Sequence, residues 1–171
     1  MLLCHAHSRN DGFTLVEMIT AAIIVGVLAA VAAPNLLGWY NKQAANSAFN
    51  EVESAIREAQ KLAIKNGRSC TINITNSDLD ATPVVTGRVF VDEQVFAGCL
   101  LNNRILEDFI TLNSDQNTVT FLSKGNTTTE ALIRVSTKEG GYVKCLVVTN
   151  GLGLIRTGDF DVDNNTCRTK T

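Results

Sequence analysis

The sequence predicts an α+β protein: a long N-terminal helix, apolar and membrane-spanning in its first half, packed on a C-terminal antiparallel β-sheet domain. Three observations predict it. Residues 13 to 37 form an apolar run with one charge, Glu17, and the twenty residues from Met18 to Leu37 carry none. Apolar residues then recur at helical spacing as far as Asn66-Gly67. From Arg68 the period falls to two, with turns of Asn and Gly between apolar stretches.

The expected boundaries follow from these changes of pattern. Residues 1–12 form a short leader, 13–40 the membrane-spanning half of the helix, 41–66 its amphipathic half, and 67–171 the β-rich domain. Twenty uncharged residues of helix suffice to cross a hydrocarbon core of roughly 30 Å. A single span in lipid must be helical, because only a helix satisfies its own backbone there. Glu17 is the odd residue, since a carboxylate within such a span costs a few kcal/mol. It either has a partner or sits at the headgroup boundary. Pro34 removes one backbone donor inside the run and should kink the helix rather than end it. Trp39-Tyr40 is an aromatic pair suited to a membrane interface. A conventional secretory signal fits less well, because the run is too long and helical character continues past the small residues before Pro34. Cys4-His5-Ala6-His7 resembles metal-ligand types, but it lies in the leader and carries no metal reading.

In the amphipathic half, Phe49, Val52, Ile56, Ala59 and Ala63 make the buried stripe, widened by Ala45, Ala48, Ala55 and Leu62. Lys42, Glu51, Glu53, Arg57, Glu58, Lys61 and Lys65 fill most of the other face. Asn66-Gly67 is the stop signal. Cys70, Ile72 and Ile74 then alternate with polar residues as a strand. Further strands are expected at 87–91, 94–97, 105–112, 118–122, 131–136, 142–149 and 152–157, with Asn150-Gly151 turning the last hairpin.

Length and charge bound the function. Of 171 residues, about 130 follow the apolar helix, enough for one modest core. A net charge of -2 offers no strong field for a polyanion. Five cysteines are present, and Cys70, Cys99, Cys145 and Cys167 follow the span without any close pair of the kind zinc sites use. They predict one or two disulfides in an oxidising compartment, with buried free thiols as the alternative. Four cysteines allow three pairings. Cys70 with Cys99 and Cys145 with Cys167 is the pairing that joins neighbouring segments.

No catalytic constellation is legible, so the chain does not read as an enzyme and no cofactor is expected. Both histidines, His5 and His7, lie in the leader, which removes His-dependent nucleophile systems from the rest of the chain. There is no P-loop or GxGxxG. Asp159, Asp161 and Asp163 alternate like the front of a calcium loop, but Asn164 and Lys170 stand where an EF-hand needs glycine and glutamate. A looser calcium site or a solvated acidic turn remains. Arg134, Lys138, Lys144, Arg156, Arg168 and Lys170 make the last forty residues locally basic, read as a scattered surface or a nucleic-acid patch.

Gly12-Phe13-Thr14-Leu15-Val16-Glu17, followed by the apolar run, resembles the type III signal peptide of the type IV pilin superfamily. A glycine precedes phenylalanine, a glutamate is fifth from that phenylalanine, and Pro34 is twenty-second. The resemblance implies a pilin-like fold. It also implies that a prepilin peptidase cuts between Gly12 and Phe13 and methylates the Phe13 amine. Glu17 would pair with the terminal amine of a neighbouring subunit, and Pro34 would belong to the assembly helix. The implied partners are other pilin or pseudopilin subunits through that helix, the peptidase, the inner-membrane assembly platform, and the membrane before assembly. The implied location is the bacterial inner membrane, single-pass with the C-terminal domain in the periplasm, and then a pilus or pseudopilus.

Ala59 to Gly67 resembles the helix end of the pseudopilin H and FimT-type minor pilins (the GspH/FimT family), and Cys145 to Gly158 resembles their final hairpin. This implies a minor pilin or pseudopilin that primes or tips a type IV pilus or a type II secretion pseudopilus. FimT-type proteins often carry Gly-Arg-x-Arg in that hairpin, linked to DNA binding. Here Gly153-Leu154-Ile155-Arg156 lacks the first arginine. Arg156 alone would contact DNA, so a pilus-borne DNA-binding receptor is the alternative function.

Overall fold

The computed structural model describes residues 12–78, 87–90, 99–138 and 141–169, with the side chains of 31–35 excepted. One helix, α1 (Leu15–Asn66), is followed by nine strands: β1 (Cys70–Thr75), β2 (Arg88–Phe90), β3 (Arg104–Ile105), β4 (Ile110–Ser114), β5 (Thr118–Phe121), β6 (Ala131–Thr137), β7 (Val143–Val148), β8 (Ile155–Asp161) and β9 (Thr166–Thr169). The chain divides into two units, Met1–Trp39 and Tyr40–Thr171.

In the second unit the later half of α1 packs on two antiparallel sheets, ordered β3-β2-β1-β5 and β4-β6-β7-β8-β9. The helical stripe supplies its side of the core: Ala45, Ala48, Phe49, Val52, Ala55, Ile56, Ala59 and Ala63 are all buried. Five of the eight are alanines, with nothing larger than a methyl group, so helix and sheets approach closely. Ile72, Val119 and Phe121 meet it from the first sheet, and Leu112, Ile133, Val135, Leu146 and Val148 from the second. Strict alternation of burial along β1 and β6 matches the period-two pattern that predicts them.

The helix ends where Asn66-Gly67 predicts. Gly67 adopts φ +62°, its amide donates to the Ile64 carbonyl at 3.3 Å, and the Arg68 amide donates to the Ala63 carbonyl at 3.2 Å. These two bonds are a Schellman closure, and they need the left-handed residue that glycine supplies.

Three expectations are corrected. The stretch 105–112 is two strands in different sheets, because a turn closed by the Ile110 amide on the Glu107 carbonyl at 2.9 Å lets the chain cross between them. The last hairpin strand is Ile155–Asp161 rather than 152–157, since Asn150-Gly151 belongs to a wider loop in which the Thr149 amide reaches the Leu154 carbonyl at 3.0 Å. The edge strand β9 has no counterpart among the expected strands. The strand expected at 94–97 lies outside the described residues.

The sheet edges are closed unequally. Beyond β4, Asn76 accepts from the Ser114 amide at 2.8 Å and donates to its carbonyl at 3.1 Å. The Ser77 hydroxyl accepts from the Leu112 amide at 2.8 Å, and the Ser77 amide donates to the Leu112 carbonyl at 2.8 Å. Two polar residues thus stand in for a neighbouring strand and blunt that edge.

Candidate processing and assembly site

Gly12, Phe13 and Thr14 precede the first helical residue, Leu15. Thr14 closes the helix start. Its carbonyl accepts the Met18 amide at 3.2 Å, and its hydroxyl accepts the Glu17 amide at 3.3 Å. That is N-cap geometry, with Glu17 at the third helical position. Glu17 is exposed in the first turn, where a negative charge meets the positive end of the helix dipole. Its carbonyl accepts the Thr20 hydroxyl at 3.0 Å.

Every described side chain from Gly12 to Ala30, and from Leu36 to Trp39, is exposed. Phe13 is 76% exposed, and Leu15, Val16, Ile19, Ile23, Ile24 and Val27 exceed half. Together with Met18, Val25 and Leu28, which are also exposed, they ring the helix, so no face is left for water. A helix apolar on every side is stable only inside lipid or among other helices. Each buried Leu, Ile or Val contributes about 1.5–3 kcal/mol in such surroundings. Among the described residues no helix is long and apolar enough to cross a membrane. Residues 31–35 fall within the run, and their side chains, that of Pro34 included, lie outside the described set. The helical backbone continues through position 34.

In the second unit, disulfides join Cys70 to Cys99 and Cys145 to Cys167. The first ties β1 to the loop leading into β3. That loop is also held to α1 by Glu58, which accepts from the Leu101 amide at 2.7 Å and from Arg104 at 3.3 Å. The second staples β9 across β8 to β7.

The three aspartates of the calcium reading divide between a strand and the turn after it. Asp159 and Asp161 lie in β8, not in a loop, and each meets a cation. Asp159 accepts from Lys144 at 2.7 Å, and Asp161 pairs with Arg168. Asp163 stands in the following turn, whose amide at 163 donates to Asp161 at 3.1 Å. Among the described residues no three His, Cys, Asp or Glu side chains converge to hold a metal. Hydrogen bonds from the Asn164 side chain and amide, with Arg168 beside them, hold the Asp161 carboxyl below the usual carboxylate range. Partial burial pulls the Lys144 ammonium down, but its bonds to Asp159 and Tyr142 outweigh this and raise it overall.

The basic residues do not gather on one surface. Arg134 and Arg156 occupy the outer face of the second sheet, in register with Cys145 and Val147. Lys144 and Arg168 occupy the helix-facing side, in register with Asp159. Arg134 lies over the Phe160 ring at 5.1 Å, and Lys42 and Lys144 over Tyr142 at 4.9 and 5.3 Å. Lys170 lies outside the described residues.

Two residues with structural weight carry no role in the sequence reading. Thr14 caps α1, and its signal was the spacing Thr14-x-x-Glu17. Gln60 donates to the carbonyls of Gly125 at 2.7 Å and Gly153 at 2.8 Å, joining two loops to α1. No local pattern marks it.

The prokaryotic N-terminal methylation motif matches residues 7–33. No curated protein sequence is a significant match to the chain. The chain is similar to the crystal structure of the type IV minor pilin FimU of Pseudomonas aeruginosa, with a TM-score of 0.50 and 15% identity over 69% of this chain and 90% of that one. At that identity the likeness speaks for the fold, and the motif speaks for the head of the helix. Together they give an N-terminal methylation motif at the head of α1 and, behind it, a fold shared with that minor pilin.

Proposed function

We propose that the chain is a minor pilin of the GspH/FimT type, a structural subunit with no catalytic role. It is held in the bacterial inner membrane by residues 13–40, with the C-terminal unit in the periplasm. A prepilin peptidase cuts between Gly12 and Phe13 and methylates the Phe13 amine. The subunit then leaves the membrane at the assembly platform and joins a type IV pilus, at its start or its tip. Glu17 docks on the terminal amine of a neighbouring subunit, and the helix bearing Pro34 packs among like helices.

The observation that carries this reading is the methylation motif on a helix whose described apolar side chains as far as Trp39 are exposed on all sides. Such a helix needs lipid at one stage and neighbouring helices at another, which is what a subunit moving from membrane to fibre encounters. The Schellman end at Gly67 and the final hairpin support the GspH/FimT assignment.

The N-terminal mass of the mature protein tests the proposal. A chain beginning at methylated Phe13 is expected. A start at Val31 or Pro34, or an intact Met1, would overturn it. A type II secretion pseudopilus uses the same leader and helix, and deletion scored for surface fibres against protein secretion separates the two systems.

A DNA-receptor role rests on Arg156, exposed on the outer face of β8. Leu154 holds the place of the first arginine. Salt-dependent gel shift by residues 41–171 tests it, and no shift at low salt removes it.

A further inference from the structure

The Gly12–Phe13 bond stands outside α1, although neither residue forbids helix by itself. Phe13 is apolar and 76% exposed, and a Cβ built on Gly12 meets nothing within 4 Å, so no packing holds these residues extended. What stops the helix is Thr14, through its hydroxyl, which takes the Glu17 amide that a helix continued upstream would pair with the Phe13 carbonyl. An N-cap residue has non-helical backbone angles, so residues before it cannot join the helix while the cap is made. Upstream, Asn10 and Asp11 are residue types that cap helices well. A helix released from Thr14 and recapped at Asp11 would take Gly12 and Phe13 as its first two residues. In apolar surroundings unsatisfied amides make that extension favourable.

Peptide-bond cleavage proceeds from the locally open backbone, and its rate follows the population of that form. A bond inside a helical turn has its carbonyl engaged and its faces covered by neighbouring side chains. We infer that Thr14 is a positioning residue for processing: its cap sets the start of α1 two residues past Phe13 and keeps the Gly12–Phe13 bond outside the helix for the peptidase. This rests on the processing proposed above. The spacing Thr14-Leu15-Val16-Glu17 gives Glu17 a second task, as the acidic member of a capping box, before it serves in assembly.

The test is pulse–chase processing of the full-length chain in cells that express a prepilin peptidase, with precursor and mature chain separated by mass. Thr14→Val keeps the shape and removes only the hydroxyl. It should be cut roughly fivefold more slowly, the effect of losing one typical cap. Thr14→Ser and Thr14→Asp both restore a cap and should both be cut near the wild-type rate. Equal rates for wild type and Thr14→Val overturn the inference. Rescue by Thr14→Ser but not by Thr14→Asp also overturns it, since the enzyme would then be reading the hydroxyl itself. A wild-type chain left uncut defeats the processing reading and the inference with it, so the two failures are distinguished by the wild-type lane. Disulfide formation in every variant, read on a non-reducing gel, shows that the C-terminal unit has folded.

Discussion

At the scale of single residues, Gln60 and Asp161 hold the C-terminal unit at places where the chain turns. Gln60 satisfies two loop carbonyls with one carboxamide, and both loop glycines are buried. Gly153 takes φ +65° there, and a side chain on it would run into the Gly125 carbonyl, so the loop tip can close only with glycine. Gln60→Leu keeps the bulk and leaves both carbonyls without a donor. It should cost about 2 kcal/mol, read as a lower denaturation midpoint at unchanged slope. Asp161 makes a pH-dependent contribution. Its pKa is depressed in the fold, so its stabilisation is complete above the unfolded value of about 3.9 and is lost as pH falls through the lower folded value. The wild type should therefore lose thermal stability more steeply below about pH 4 than Asp161→Asn does. Parallel curves would show that the Asn164 and Arg168 contacts contribute nothing net.

At the scale of elements, α1 was legible almost to the residue, because its stripe, its apolar run and its Asn-Gly stop all rest on local periodicity. Strands β1, β5, β6 and β7 were legible for the same reason. The failures share a different cause. β9 and the end of β8 read as a polar turn because Asp159, Asp161, Asp163, Asn164 and Asn165 are residue types depleted in strands. Their compensation comes from across the sheet: Lys144 for Asp159, Arg168 for Asp161, and Cys145 for Cys167. Lys144 and Cys145 lie 15 and 22 residues from their partners, beyond the reach of a short sequence window. The break between β3 and β4 is likewise decided by two sheets competing for one apolar stretch. β9 is a short edge strand, so the staple to Cys145 should matter more than its ladder. Replacing both Cys145 and Cys167 with Ser should cost about 2–4 kcal/mol. The amides of β9 should then exchange faster than those of β6 and β7, as measured by hydrogen exchange.

At the scale of the whole molecule, the two units answer different demands. The residues of the second unit bury a mixed core of alanines, aliphatics and Phe121 and make a fold. The described side chains of the first are all exposed. Glu17 is where the distinction can be measured. Glu17→Ala should still be cut after Gly12, because Thr14 keeps its hydroxyl bond to the amide at 17, yet it should enter fibres poorly for lack of a docking charge. Sheared fibres and membrane fractions probed for the subunit would report both steps. Unchanged incorporation would reduce Glu17 to a helix-start residue.

The buried row on α1 from Ala45 to Ala63 also has a mechanical meaning. At 1.5 Å per residue it is about 27 Å long, and it touches strands of both sheets. Tension applied along the helix axis loads that whole row in shear, so its contacts must yield together rather than peel one after another. The two disulfides lie in the sheets that receive this load, at β1 and at β7–β9, and they limit how far either sheet can unravel.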